Sequence, residues 1–134
     1  MRERLDPARP TNEGSARNRD ELAGLRRDPV ADLRRQGDAT IVCLAGEIDL
    51  YNAEAVLNAL RKACSGAGAV VVDLSDVDFA DSTMIGVLLE ARSRLEGRPL
   101  KLVGPPPQVV RVLEVCGVDG RLPIYATVAD ALSA

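Results

Sequence analysis

The rhythm of hydrophobic and polar positions changes near Val30. Residues 1–28 mix Arg, Asp, Glu, Asn and Pro with weak periodicity, the composition of a flexible charged tail. From residue 29 to 134 the pattern is that of one folded domain. "VADLRR" alternates, "QGD" supplies a turn and "ATIVCLAGEI" is rich in β-formers, so a β-hairpin is expected. In "NAEAVLNALRKAC", Ala53, Val56, Leu57, Leu60 and Cys64 recur at helical spacing behind Asn52, a potential cap. "SGAG" breaks that helix. "AVVVDL" is a continuous apolar run of strand length, suited to a strand covered on both faces.

"STMIGVLLEARSRLEG" reads as a second helix stopped by Gly97, and "PLKLVG" as another core strand. After "PPP", acceptable only before or at a first helical turn, "QVVRVLEVCG" carries Val109, Val112, Leu113 and Cys116 as an apolar stripe. "RLPIYA" is a last short strand and "TVADALSA" a terminal helix capped by Thr127. The order β-β-α-β-α-β-α-β-α defines an α/β fold with a small, mixed, mostly parallel sheet, because strands that alternate with helices pair in parallel through right-handed crossovers. The pattern leaves the order of strands within the sheet open.

Composition narrows the chemistry. The 134 residues include one Phe, two Tyr and no Trp, so the core must be aliphatic. A net charge of −3 without a basic stripe argues against nucleic-acid binding. No apolar run approaches the roughly 18 residues of a membrane span, so direct membrane insertion is not expected. "MRERLDPARP" lacks the apolar segment of a signal peptide, which makes the cytoplasm the expected location. Cys43, Cys64 and Cys116 are widely spaced among apolar residues and read as reduced core thiols. Only Cys64 has close basic neighbours, Arg61 and Lys62, of the kind that activate a thiol. The chain has no His, which removes Ser-His-Asp and Cys-His catalysis and most zinc sites; no metal or cofactor is expected.

The acidic run "DLSDVDFADS" admits several readings. As an EF-hand starting at Asp76 it fails, since Asp81 stands sixth and Val87 twelfth, where Gly and Glu are needed. Asp76 and Asp78 have the D-x-D spacing of a metal-dependent phosphotransferase, but no convincing downstream lysine accompanies them. They read more simply as carboxylates solvating a loop. The G-x-G of "SGAGAVVV" precedes a strand instead of following one, so it is no dinucleotide fingerprint. Ser82 lies where the loop becomes a helix. As an N-cap it would bond the first turn; the same helix N-terminus would also tolerate a phosphate. The residues alone leave cap and switch open.

"LAGEIDLYNAEAV", "VVVDLSDVDFADST", "IGVLLEARSRL" and "LKLVGPPPQVVRVLEVCGVDGRLPIYATVADAL" follow one another in an order and spacing that resemble the STAS-domain anti-sigma-factor antagonists. The resemblance runs from about residue 30 to the end. It implies a small sheet with helices mainly on one side and a protein that is not an enzyme. It also implies partner switching. The unphosphorylated antagonist binds an anti-sigma factor that is often itself a serine kinase; phosphorylation releases it, and a serine phosphatase resets it. The matching phosphoacceptor is Ser82, with Thr83 as backup. The expected partner-binding residues are Glu47, Asp49, Asp78, Asp81, Ser82, Thr83 and Met84. Met84 departs from the family, which usually has Gly there, and is expected to add apolar bulk to the partner surface. That departure favours an alternative: a STAS scaffold that is not phosphorylated, or an accessory subunit of a membrane transport system.

Overall fold

A computed structural model of the protein describes residues 28–118 and 120–134; the expected tail, up to residue 27, lies outside them. The elements are β1 (Val30–Gln36), β2 (Ala39–Ile48), α1 (Ala53–Cys64), β3 (Val70–Ala80), α2 (Ser82–Arg94), β4 (Leu100–Val103), α3 (Pro107–Val115), β5 (Ile124–Tyr125) and α4 (Val128–Ser133). They form one five-stranded sheet in the order β1-β2-β3-β4-β5. β1 runs antiparallel to β2, and the remaining pairs are parallel.

Sequential order decides the layering. When each parallel strand is laid beside the last through a right-handed connection, every crossover helix falls on the same face. α1, α2 and α3 accordingly share one core with Val42, Leu44, Ile48, Val70, Val72 and Leu74. α4 follows the last strand instead of joining two. It covers the other face, where Ala131 packs with Ile41, Val71 and Val103. The unalternating run of β3 is thus buried from both sides, as its pattern implies.

β3 is longer than "AVVVDL". It continues through the acidic run to Ala80, so Asp76 and Asp78 belong to a strand and not to a loop. Beyond Asp73, which faces the last β4 residue Val103, β3 pairs only with β2: Ala45 opposite Asp76, Gly46 opposite Val77, Glu47 opposite Phe79 and Ile48 opposite Ala80. Two register shifts interrupt this stretch. They let Leu74, Val77 and Ala80 all reach the helical core at a spacing of three. That spacing hides the strand from a search for alternation.

Other details differ from the sequence reading. α2 ends at Arg94 rather than running to Gly97, because Glu96 and Gly97 take left-handed φ of 52° and 96°. Only Cys64 is a core thiol: Cys43 is half-buried, and Cys116, one residue past α3, is exposed. Burial pushes the Cys64 thiol up, outweighing Arg98 and Arg94 nearby, so the neighbouring cations do not activate it. Gly68 of "SGAG" is a packing glycine, since a Cβ there would collide with the Asp38 carbonyl oxygen. Thr127 caps α4 as expected, accepting from the Asp130 N–H at 3.0 Å.

Candidate functional site

Where β2 and β3 outrun β4, their ends project from the sheet. Asp81 leaves β3 with its N–H donating to the Ile48 carbonyl at 3.1 Å, which places the start of α2 beside the end of β2. Asp81, not Ser82, is the N-cap. Its backbone is extended, and Oδ1 accepts from the Thr83 N–H at 2.9 Å. The physical reason is reach: from the N-cap position a carboxylate faces the amide two residues on, whereas Ser82 is already the first helical residue. The Ser82 side chain is therefore exposed, and its hydroxyl makes no hydrogen bond among the described residues. Thr83 is half-buried.

Met84 is fully buried, at 0% exposure, in the core shared by the three helices. The expectation that it adds bulk to a partner surface is corrected: the first turn of α2 points position 84 inward, between helix and sheet. A larger side chain there is a matter of packing, not contact.

The loop after β2 is built on Asn52. Its Oδ1 accepts from the Asp49 N–H at 2.9 Å and its Nδ2 donates to the Glu47 carbonyl at 2.7 Å. Asn52 thus holds the loop and makes no side-chain cap bond to α1. Asp49 Oδ1 accepts from the Tyr51 N–H at 3.0 Å. Glu47 is exposed opposite Phe79, and Asp78 is exposed on β3. Glu47, Asp49, Asp78, Asp81, Ser82 and Thr83 therefore gather at one end of the sheet.

Three apolar side chains at this end escaped the sequence reading: Leu50 and Tyr51, 71% and 76% exposed, and Phe79, 45% exposed. Their signal was available. Leu50 and Tyr51 are large apolar residues between a strand end and a polar turn, and Phe79 is the single Phe of the chain. Gly86, one helical turn beyond Ser82, is exposed with open space around it.

Electrostatics complete the site. Segments 36–60, 63–91 and 102–110 contain no Lys or Arg. A charge added at Ser82 would meet Asp81 and its acidic neighbours with no basic residue of these segments to pair with. Cavities of about 460 Å³, lined by Ala39, Ala69 and Lys101, and about 410 Å³, lined by Arg92, Arg98 and Arg121, lie at the opposite end of the sheet. The Ser82 end is a projecting surface of mixed acidic and apolar character. Among the described residues no cluster of His, Cys, Asp or Glu is arranged to hold a metal ion, and no helix is long and apolar enough to cross a membrane.

A five-stranded mixed sheet with three helices on one face and a serine at the projecting strand–helix junction defines a STAS-type module. Residues 30–131 match the STAS domain family. The anti-sigma-F factor antagonist RsfA of Mycobacterium tuberculosis is 31% identical over 109 residues, covering 78% of this chain and 85% of that protein. The anti-sigma-B factor antagonist of Listeria monocytogenes is 34% identical over 93 residues, covering 67% and 82%. The crystal structure of an anti-sigma factor antagonist from Mycobacterium paratuberculosis superposes with a TM-score of 0.71 at 28% identity, covering 76% of this chain and 89% of that one. The chain belongs to the STAS-domain anti-sigma-factor antagonist family.

Proposed function

We propose that this protein is a phosphorylation-switched anti-sigma-factor antagonist, a binding regulator and not an enzyme. Unphosphorylated, it binds an anti-sigma factor with serine kinase activity and so frees a sigma factor. Phosphorylation of Ser82 releases the complex, and a serine phosphatase restores it. The observation that carries this reading is the Ser82 hydroxyl, exposed, unused in capping and set on an acidic edge. Leu50, Tyr51 and Phe79 supply apolar anchors, with Glu47, Asp49 and Asp78 around them.

The chemistry follows from charge. A phosphate adds about −1.5 to −2 charges, which the start of a helix accommodates without unfolding. At a contact face the same charge must lose water without a matching cation, at a cost of several kcal/mol, enough to lower affinity by orders of magnitude. Incubation with the cognate anti-sigma kinase and ATP, followed by mapping of the modified residue, should place phosphate on Ser82. Label on Thr83 alone, or none, would sink the proposal. Ser82→Ala should hold affinity for the anti-sigma factor within about threefold, and Ser82→Asp should lower it at least about tenfold. The scaffold or transport-subunit alternative drew on Met84 as a surface residue, and burial of that side chain removes its support.

A further inference from the structure

Ala80 precedes the Asp81–Ser82 junction, and its backbone N–H and carbonyl point away from β2, towards where a neighbouring strand would lie. β4 does not extend that far, since its last pairing with β3 is Val103 opposite Asp73. The missing strand is replaced by one side chain. Gln108 of α3 accepts from the Ala80 N–H through Oε1 at 3.0 Å and donates to the Ala80 carbonyl through Nε2 at 2.9 Å. A primary amide offers a donor and an acceptor side by side, which is the pattern a β-strand presents at one residue. Gln108 is itself held firmly. It is the second residue of α3, directly after Pro105, Pro106 and Pro107, whose rings fix φ. Val109 and Leu113 anchor the same helix at 0% exposure.

We infer that Gln108 is a positioning residue for the Ser82 hydroxyl. The acceptor segment is tied to β2 through Ile48, to its own helix through the Asp81 cap, and to α3 through Gln108. Only the last tie is a side chain from a distant element, and it grips the residue two positions before Ser82. Without it the end of β3 keeps β2 on one side and nothing strand-like on the other, so the hydroxyl samples more orientations. This rests on Ser82 being the phosphoacceptor, as proposed above.

The test compares Gln108→Glu, which keeps the acceptor but turns a charged oxygen towards the Ala80 carbonyl, with Gln108→Leu, which loses both bonds. With catalytic cognate kinase, radiolabelled ATP and the antagonist varied to saturation, turnover of Ser82 phosphorylation should fall in both variants, by between about tenfold and a hundredfold for Leu. KM for the antagonist should stay within about twofold, since the exposed contact residues are unchanged. Amide exchange at Asp81, Ser82 and Thr83 should quicken in both variants while Val72 and Leu113 remain protected. Wild-type turnover in both variants, or a loss confined to KM, would overturn the inference. Lost protection at Val72 in Gln108→Leu would make that variant a folding defect and leave Gln108→Glu to decide. If wild-type protein takes no phosphate at Ser82, the switch proposal fails by itself. The positioning role is then judged by exchange alone, and unchanged exchange in Gln108→Leu refutes it.

Discussion

The two ends of β3 are built to opposite purposes. At its start, polar groups are turned inward: Arg98 donates from Nε to the Leu95 carbonyl and from its guanidinium nitrogens to the carbonyls of Cys64, Gly66 and Gly68. One side chain thereby closes the loop after α1 onto the turn after α2. At its far end the ties are neutral ones from Asn52, Gln108 and the backbone, and the surface carries acidic side chains, three exposed apolar ones and the exposed Ser82 hydroxyl. The first end spends one charged side chain on closing two loops, and the second uses backbone and amide bonds to hold a junction whose Ser82 hydroxyl stays exposed. The binding and release proposed for the Ser82 end suit a surface on which the fold does not depend.

Substitutions can break this contrast. The largest effect is expected at the closed end. Arg98→Ala strips four carbonyls of a charged donor and should lower stability by about 2–4 kcal/mol in urea unfolding. Anti-sigma binding by the folded protein should change less than about twofold; a larger loss would mean the two ends are not separable. The mirror image is Phe79→Ala, which should weaken the complex by more than about 1 kcal/mol in calorimetry while costing less than about 1 kcal/mol of stability. Gly86→Ala should raise stability by about 0.5–1 kcal/mol, because an exposed glycine inside a helix gives up that much for want of a methyl group. A simultaneous fall in affinity would extend the contact face one helical turn beyond Ser82.

The smallest effect is chemical. Cys64 at the closed end has its thiol donating to the Ala91 carbonyl at 3.5 Å and pushed up by burial, whereas Cys116 is exposed. Thiol reagents should modify Cys116 first and Cys64 last. The folded value of Cys64 lies above the unfolded one. The stability it contributes is complete below the unfolded thiol's range, about 8.5, and is lost as pH rises through the folded value. The unfolding midpoint should therefore fall more steeply above about pH 9 in wild type than in Cys64→Ala.

Legibility in the sequence followed range. α1 and α3, of 12 and 9 residues, were visible because each carries its own periodic apolar face, and α2, of 13, through the apolar run between Ser82 and Gly97. The outer half of β3 was not, because its burial has a period of three, imposed by register shifts against β2. Ser82 stood out through its place in "DFADST", yet its capping role did not survive, since the choice between Asp81 and Ser82 turns on where the helix begins. Gln108 had no local signal at all: its partner is 28 residues away.

What the sequence by itself determined is the series of elements, the aliphatic core, the want of histidine chemistry and the family motif around Ser82. These depend on residue type and short spacing. Tertiary structure alone decided that β2 and β3 outrun β4, that Met84 turns inward while Phe79 turns outward, and that a glutamine amide stands in for a missing strand. Each of those outcomes depends on which segments become neighbours. Strand register and loop closure set that, and neither is encoded within a few residues of the position it controls.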